Sequence, residues 1–255
     1  FITYASATDR DAAFLSGKLD GMLTDYPGAT LLQAKGSRLR LVMETDGSLS
    51  LIASKKSNVR NPDDLKGKNI SVSGNTFVEY ATDEVMKRAC LHPGEVNKPE
   101  INNIPLRLMM LEDVQISASF LPGPATAIAL NDGHTALLNT RQMGLHCTGI
   151  VFSEKAITEK DEEIRRFITG YNLGVKYLQT HPQNEWTEIL VKEFGLQVKA
   201  AMQIDLPDYR PATRPSYHDI EKIIAWLKSK GAIPDYYPGE NLVDTTFIPG
   251  TLKPQ

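Results

Sequence analysis

Cysteine is scarce in this chain: Cys90 and Cys147 are the only two in 255 residues. They lie 57 positions apart (147 − 90) and form no CxxC pair. A disulfide scaffold and a cysteine-rich zinc site are thereby excluded. Excess charge is also missing, since Lys+Arg 28 against Asp+Glu 31 leaves a net −3. That balance excludes the basic surface a nucleic-acid partner needs. No apolar run approaches the ~18 residues of a membrane-crossing helix. Catalytic signatures are absent as well: there is no HExxH, GxSxG, Walker loop or GxGxxG. The five histidines, His92, His134, His146, His181 and His218, show no metal-ligand spacing. His146 and Cys147 are neighbours, and on a strand adjacent side chains point to opposite faces, so they form no dyad. No catalytic residue, metal or cofactor is expected. The first residue is Phe, and no basic, then apolar leader follows it.

What is present is an ordinary globular mix, 41% hydrophobic and 23% charged. The strongest pattern is a weak internal repeat at an offset of 97. It pairs Leu19 with Ile116, Leu23 with Phe120, Pro27 with Pro124, Gly36 with Gly133, Leu41 with Leu138 and Arg10 with Arg107. Each copy reads strand, Pro/Gly turn, helix, Gly stop, strand, which implies parallel βα units in two similar lobes. Ahead of the second copy stands a further strand–helix unit, at 69–72 and 76–90. Its counterpart in the first lobe would fall before Phe1 (70 − 97 = −27), so roughly 30 residues of mature sequence and a signal peptide are expected to precede it.

The remaining elements follow from pattern. Phe1 to Ala5 reads as a strand. Asp9 to Gly17 reads as a helix capped by Thr8 or Asp9. Helices are expected at 26–35, from about Pro105, and at 161–180, 184–194 and 216–230. Strands are expected at 39–44, 48–54, 101–104, 116–121, 136–138 and 148–152. In the 161–180 helix Ile164, Phe167, Ile168, Tyr171, Val175 and Leu178 share one face. Asn61 to Gly67 reads as a Pro-started helical turn, and the tail, with Pro234, Pro238, Pro249 and Pro254, as loop. The predicted fold is α/β and two-lobed, each lobe a mainly parallel sheet flanked by helices, with the first strand and helix of lobe 1 absent from this chain. Lobe 1 takes residues 1–52 and 149–255, lobe 2 takes 53–148, and the chain crosses near 46–54 and 144–152. Lobe 2 is neutral, with ten basic and ten acidic residues.

Ligands of open parallel sheets bind outside the carboxyl ends of the strands. In two lobes those ends face each other across a cleft. The candidates are Ser6 and Thr8, then Thr24, Asp25 and Tyr26, then Ser73, Gly74, Asn75 and Thr76, and finally Pro122 and Gly123. At Ser73 to Thr76, Gly74 allows close backbone approach and free N–H groups at the following helix start favour a negative or polar oxygen. Ordinary capping by Asn75 or Thr76 explains the same residues. Asp25 either accepts hydrogen bonds from an amino or amidine-like group or caps the helix containing Pro27. Tyr26 is placed to stack on a ring. Phe77 and Tyr80 offer aromatic walls or core packing. Arg10 and Arg107 begin equivalent helices, where each either holds an anion by two parallel N–H bonds or stands in solvent.

Three segments carry a family resemblance. Residues 61–73, NPDDLKGKNISVS, resemble the opening of the second lobe in type II periplasmic binding proteins. Residues 16–21, SGKLDG, resemble the turn and strand of their first lobe, and 120–126, FLPGPAT, their second-lobe loop, with Gly123 where an acid is common. The set is most similar to the branch of nitrate, sulfonate, taurine and thiamine-pyrimidine precursor receptors. The resemblance implies an extracytoplasmic, monomeric solute-binding protein, periplasmic or lipid-anchored at the cell surface. It would close by a hinge on a sulfonate, carboxylate or amino-heteroaromatic compound and dock the permease of an ABC importer. The alternative is an enzyme on the same fold, resembling thiamine-pyrimidine synthase. That family carries a cysteine-rich motif and a cofactor lysine, whereas Cys90 and Cys147 stand alone. A sensing domain of a regulator shares the design, but no helix-turn-helix or kinase segment is visible.

Overall fold

The computed structural model describes residues 1–4, 6–202, 204 and 206–248. In chain order the elements begin with α1 (Ala7–Leu15), β1 (Gly21–Asp25), α2 (Tyr26–Ala34), β2 (Leu39–Thr45) and β3 (Leu49–Ala53). A 3-10 turn, Pro62–Leu65, leads to β4 (Ile70–Ser71), α3 (Phe77–Arg88), α4 (Ile104–Glu112), β5 (Ala118–Pro122), α5 (Gly123–Asn131) and β6 (Thr135–Asn139). Then come β7 (Thr148–Ser153), α6 (Glu154–Glu159), α7 (Asp161–Thr180), α8 (Gln183–Phe194), α9 (Val198–Met202) and α10 (Tyr217–Ser229).

The repeat holds to the residue. Adding 97 to the bounds of α1, β1 and α2 gives those of α4, β5 and α5. The N-cap Ser6 corresponds to Asn103, and both side chains accept a helix-start N–H. The stop glycines Gly36 and Gly133 both take positive φ, 95° and 87°, where a side chain would be strained.

Two sheets result. One has the order β1-β7-β2, the other β4-β5-β3-β6. Within each, the βα strands point the same way, as expected of repeated βα units. One strand of opposite direction is inserted among them: β7 lies between β1 and β2, and β3 between β5 and β6. Hydrogen-bonded pairs are therefore mostly antiparallel, and β4–β5 is the parallel pair of named strands. β3 lies wholly in the second sheet, so the chain passes between sheets at residues 46–48. It returns between β6 and β7. A buried core runs from Tyr26 and Leu41 beside the first sheet to Phe77 and Phe120 beside the second. In α7 the expected face is inward, with Ile164, Ile168 and Val175 buried.

Four readings are corrected. Residues 1–4 form no strand: Phe1 and Ile2 are 115% and 67% exposed, and β-rich composition makes a strand only beside a partner. Ala5, Pro249 and Pro254 lie outside the described residues. The cap of α1 is Ser6, not Thr8 or Asp9, because its Oγ accepts the Asp9 N–H at 3.2 Å. Residues 101–104 are not a strand. Pairing there ends with the bridge Val72↔Glu100, and Ile104 already starts α4 with Pro105 in its first turn. Residues 145–147 precede β7, so His146 and Cys147 do not share a strand.

Candidate functional site

Asp25 ends β1 and caps α2. Its Oδ1 accepts the Gly28 N–H at 2.7 Å. Its Oδ2 accepts the N–H of Phe77, first residue of α3, at 3.0 Å. One carboxylate therefore ties a βα loop of the first half to a helix start of the second. Burial pushes the Asp25 carboxyl above its ordinary value of 3.8, against the pull of the two backbone N–H groups and Arg10. Beside it, buried Thr24 accepts from Arg10 Nη2 at 3.0 Å, and Arg10 is paired with Asp11 at 2.7 Å.

Across from Asp25, Ser73 to Thr76 form a partly exposed loop between β4 and α3. Thr76 caps α3, its Oγ1 accepting from Val78 N and donating to Ser73 O. Asn75 takes φ 56°, a left-handed conformation that asparagine tolerates, and its N–H donates to Glu79 Oε2 at 2.7 Å. The Glu100 carboxylate covers Gly74, where an added Cβ would sit 3.1 Å from its Oε1. The free N–H groups expected here are thus engaged at Asn75, Phe77 and Val78. Capping accounts for them, with Asp25 holding the position an incoming anion would take.

The remaining loop is different. Pro122 stands at the N-cap of α5 and supplies no side-chain cap. Gly123 faces open space, since a Cβ there would meet nothing within 4 Å. A groove of about 200 Å³ opens beside it, lined among others by Ser48, Ser50, Gly123, Thr126, Asn139 and Gln142. It runs along α5 from Gly123 to Leu130 and along β6 from Ala136 to its carboxyl end at Asn139, with Ile204 from beyond α9 on its wall. The sequence reading missed all of these but Gly123. Their signal was positional: residues where the chain passes between sheets flank the strand ends and must border the cleft.

Several expected site residues lie elsewhere. Tyr26 is 0% exposed and donates from its hydroxyl to Glu44 Oε2 at 2.9 Å, so its ring cannot stack on a ligand. Glu44 also accepts from Arg210 Nη2 at 2.7 Å, and Asp46 accepts from Arg210 Nε at 2.7 Å, which pins the 206–215 loop to the first sheet. Phe77 and Tyr80 are core residues, with Tyr80 edge-on to Trp226 of α10 at 5.3 Å. Ser6 is used in the α1 cap and Thr8 is exposed on that helix. Arg107 is not solvated but 2% exposed, and burial holds its pKa down to about 10. Cys147 is buried and its thiol pushed well up, whereas Cys90 is exposed. Among the described residues no group of three or more His, Cys, Asp or Glu could hold a metal ion.

Two α/β halves related by a repeat, with βα loops of both meeting at Asp25 and Phe77, define the architecture of the periplasmic binding proteins. The chain belongs to the NMT1/THI5-like family, whose family model matches residues 1–185. Its fold is similar to that of the periplasmic aliphatic sulphonate binding protein SsuA from Escherichia coli, with TM-score 0.80 and 12% identity, covering 99% of this chain and 84% of that one. The zinc-bound ligand binding component of an ABC-type import system from Staphylococcus aureus gives TM-score 0.77 and 14% identity, over 96% and 85%. The desulfurization enzyme DSZB shares the fold at TM-score 0.62 and 12% identity, over 90% and 84%. No curated protein matches the sequence.

Proposed function

We propose that this chain is an extracytoplasmic solute-binding protein that captures a small organic molecule between its halves and delivers it to the permease of an ABC importer. The observation that carries the reading is the groove between α5 and β6, bordered by Ser48 and Ser50 where the chain passes between sheets and reaching the uncapped helix start at Gly123. In this reading the lobes are those expected from the sequence except that β3 belongs to the second: one lobe is 1–45 with 149–255, the other 49–148, and the first crossing lies at 46–48. Ligand contact with both lobes favours the closed form, in which the Asp25 bond to Phe77 is one closure contact. The ligand is a sulfonate, a carboxylate or an amino-heteroaromatic compound. The bare α5 N-terminus and the likeness to the sulphonate-binding protein favour the anions. The protein acts as a monomer in the periplasm or anchored at the cell surface. Among the described residues no helix is long and apolar enough to cross a membrane.

A thermal-shift screen with alkanesulfonates, carboxylates and aminopyrimidines tests this. One class raising the melting temperature in proportion to the logarithm of its concentration supports the reading; no shift with any class contradicts it. An enzyme on this fold is the second reading, favoured by the likeness to the desulfurization enzyme. Chemical conversion of a compound that shifts the melting temperature would establish it.

A further inference from the structure

Among the described residues Arg107 is the largest fully buried side chain, at 2% exposure. Its Nε donates to Ile101 O at 2.7 Å, its Nη1 to Phe120 O at 3.4 Å, and its Nη2 to Ser73 Oγ. All three acceptors are neutral, and no described carboxylate lies within ion-pair distance of it. Its repeat partner Arg10 is built otherwise: Arg10 is paired with Asp11 at 2.7 Å. The position matching Asp11 is Leu108 (11 + 97), and the position matching Thr24 is Leu121 (24 + 97). The second half thus keeps the arginine and replaces its acid by leucine. A buried, uncompensated charge is expensive to maintain, while a neutral anchor would hold the same carbonyls. The place of the charge is informative. It sits under Ser73, the first residue of the loop facing Asp25, and under Phe120, two residues before Pro122.

We infer that Arg107 is a positioning residue that supplies the cleft with a fixed positive charge, holding the Ser73 loop through its hydroxyl and selecting a ligand with an anionic group. This rests on the solute-binding reading above and narrows its ligand class. Asp25 at the Phe77 N–H and Glu100 over Gly74 are negative groups at this loop, and Arg107 is the buried positive one. Acting through Ser73 and through space, Arg107 needs no direct contact with the ligand.

The test uses two compounds of one shape and different charge, butane-1-sulfonate and butane-1-sulfonamide, titrated calorimetrically into the full chain. Leu108→Asp introduces the partner that Arg10 has, and Arg107→Met removes the charge. Each is expected to weaken the sulfonate by about tenfold or more while changing the sulfonamide by less than about threefold. Arg107→Lys keeps the charge and is expected to retain the preference. Melting temperatures verify that each variant is folded, and Leu108→Asp serves where Arg107→Met does not fold. Folded variants that weaken both compounds equally, or neither, overturn the inference and leave the solute-binding reading standing. A wild-type chain that prefers the sulfonamide overturns it as well. A wild-type chain that binds neither compound, nor any in the thermal screen, removes the solute-binding reading and the inference with it.

Discussion

Replacing Tyr26 by Phe deletes one oxygen from a fully enclosed position. The hydroxyl donates to Glu44 Oε2 at 2.9 Å, and Glu44 is only 6% exposed. The ring itself stays packed, so no cavity forms beyond the oxygen. A hydrogen bond to a charged group contributes about 1.5–3 kcal/mol. Glu44 keeps Arg210 at 2.7 Å and the Ser216 N–H at 3.2 Å, which places the expected loss toward the lower part of that range. For a chain of this length it corresponds to a fall in melting temperature of about 3–6 °C. Urea unfolding followed by circular dichroism gives the free-energy difference, and an unchanged slope confirms that only stability moved. Affinity for any ligand should stay within about twofold, because the ring does not face the groove. Unchanged stability with weakened binding would refute the reasoning and return Tyr26 to the site.

Asp25 gives the pH prediction. Its carboxyl is raised above 3.8 in the folded state, so the native form holds its proton longer than the unfolded form. The stability it contributes is complete below 3.8 and declines as pH climbs through the native value. Urea midpoints measured from pH 3.5 to 7 should drift in favour of Asp25→Asn over that rise and then run parallel; curves parallel throughout would refute it. Glycines separate two environments. An added Cβ at Gly149, the second residue of β7, would lie 2.6 Å from the Met43 carbonyl oxygen and from Leu41 Cδ1, so Gly149→Ala should cost about 1–3 kcal/mol. At Gly174, exposed in α7 with nothing within 4 Å, Gly174→Ala should gain about 0.5–1 kcal/mol. Reversed signs in urea unfolding would contradict the packing described for either position.

The repeat was legible because a βα unit fixes apolar spacing, turn residues and a stop glycine over some forty positions together. A few coincidences, such as Pro27 with Pro124 and Gly36 with Gly133, therefore carried register through α1, β1 and α2 and their copies. Short strands without that support were misread. Residues 1–4 and 101–104 have β-rich composition, yet strand formation depends on a neighbour that composition does not reveal. The loops of the site were located by topology, but their occupants were not. Asp25 was read both as cap and as ligand acceptor, and the structure has it capping two helices from opposite halves. Tyr26 was misplaced because β1 runs directly into α2, turning the ring into the core where Glu44 waits. That partner is 18 residues away, beyond local pattern. Arg107 beside Leu108 was visible as a sequence, but its burial was not, because an arginine head ordinarily stays in water and the acceptors that hold this one inside lie 6, 13 and 34 residues away.

The central claim is capture between the two halves, and hydrogen exchange read by mass spectrometry tests it most directly. The protein is compared with and without the compound that gives the largest thermal shift. Slowed exchange at 24–28 in one half together with 73–78 and 123–127 in the other is the predicted result. Protection confined to one half, or none in any of these segments, would contradict the account.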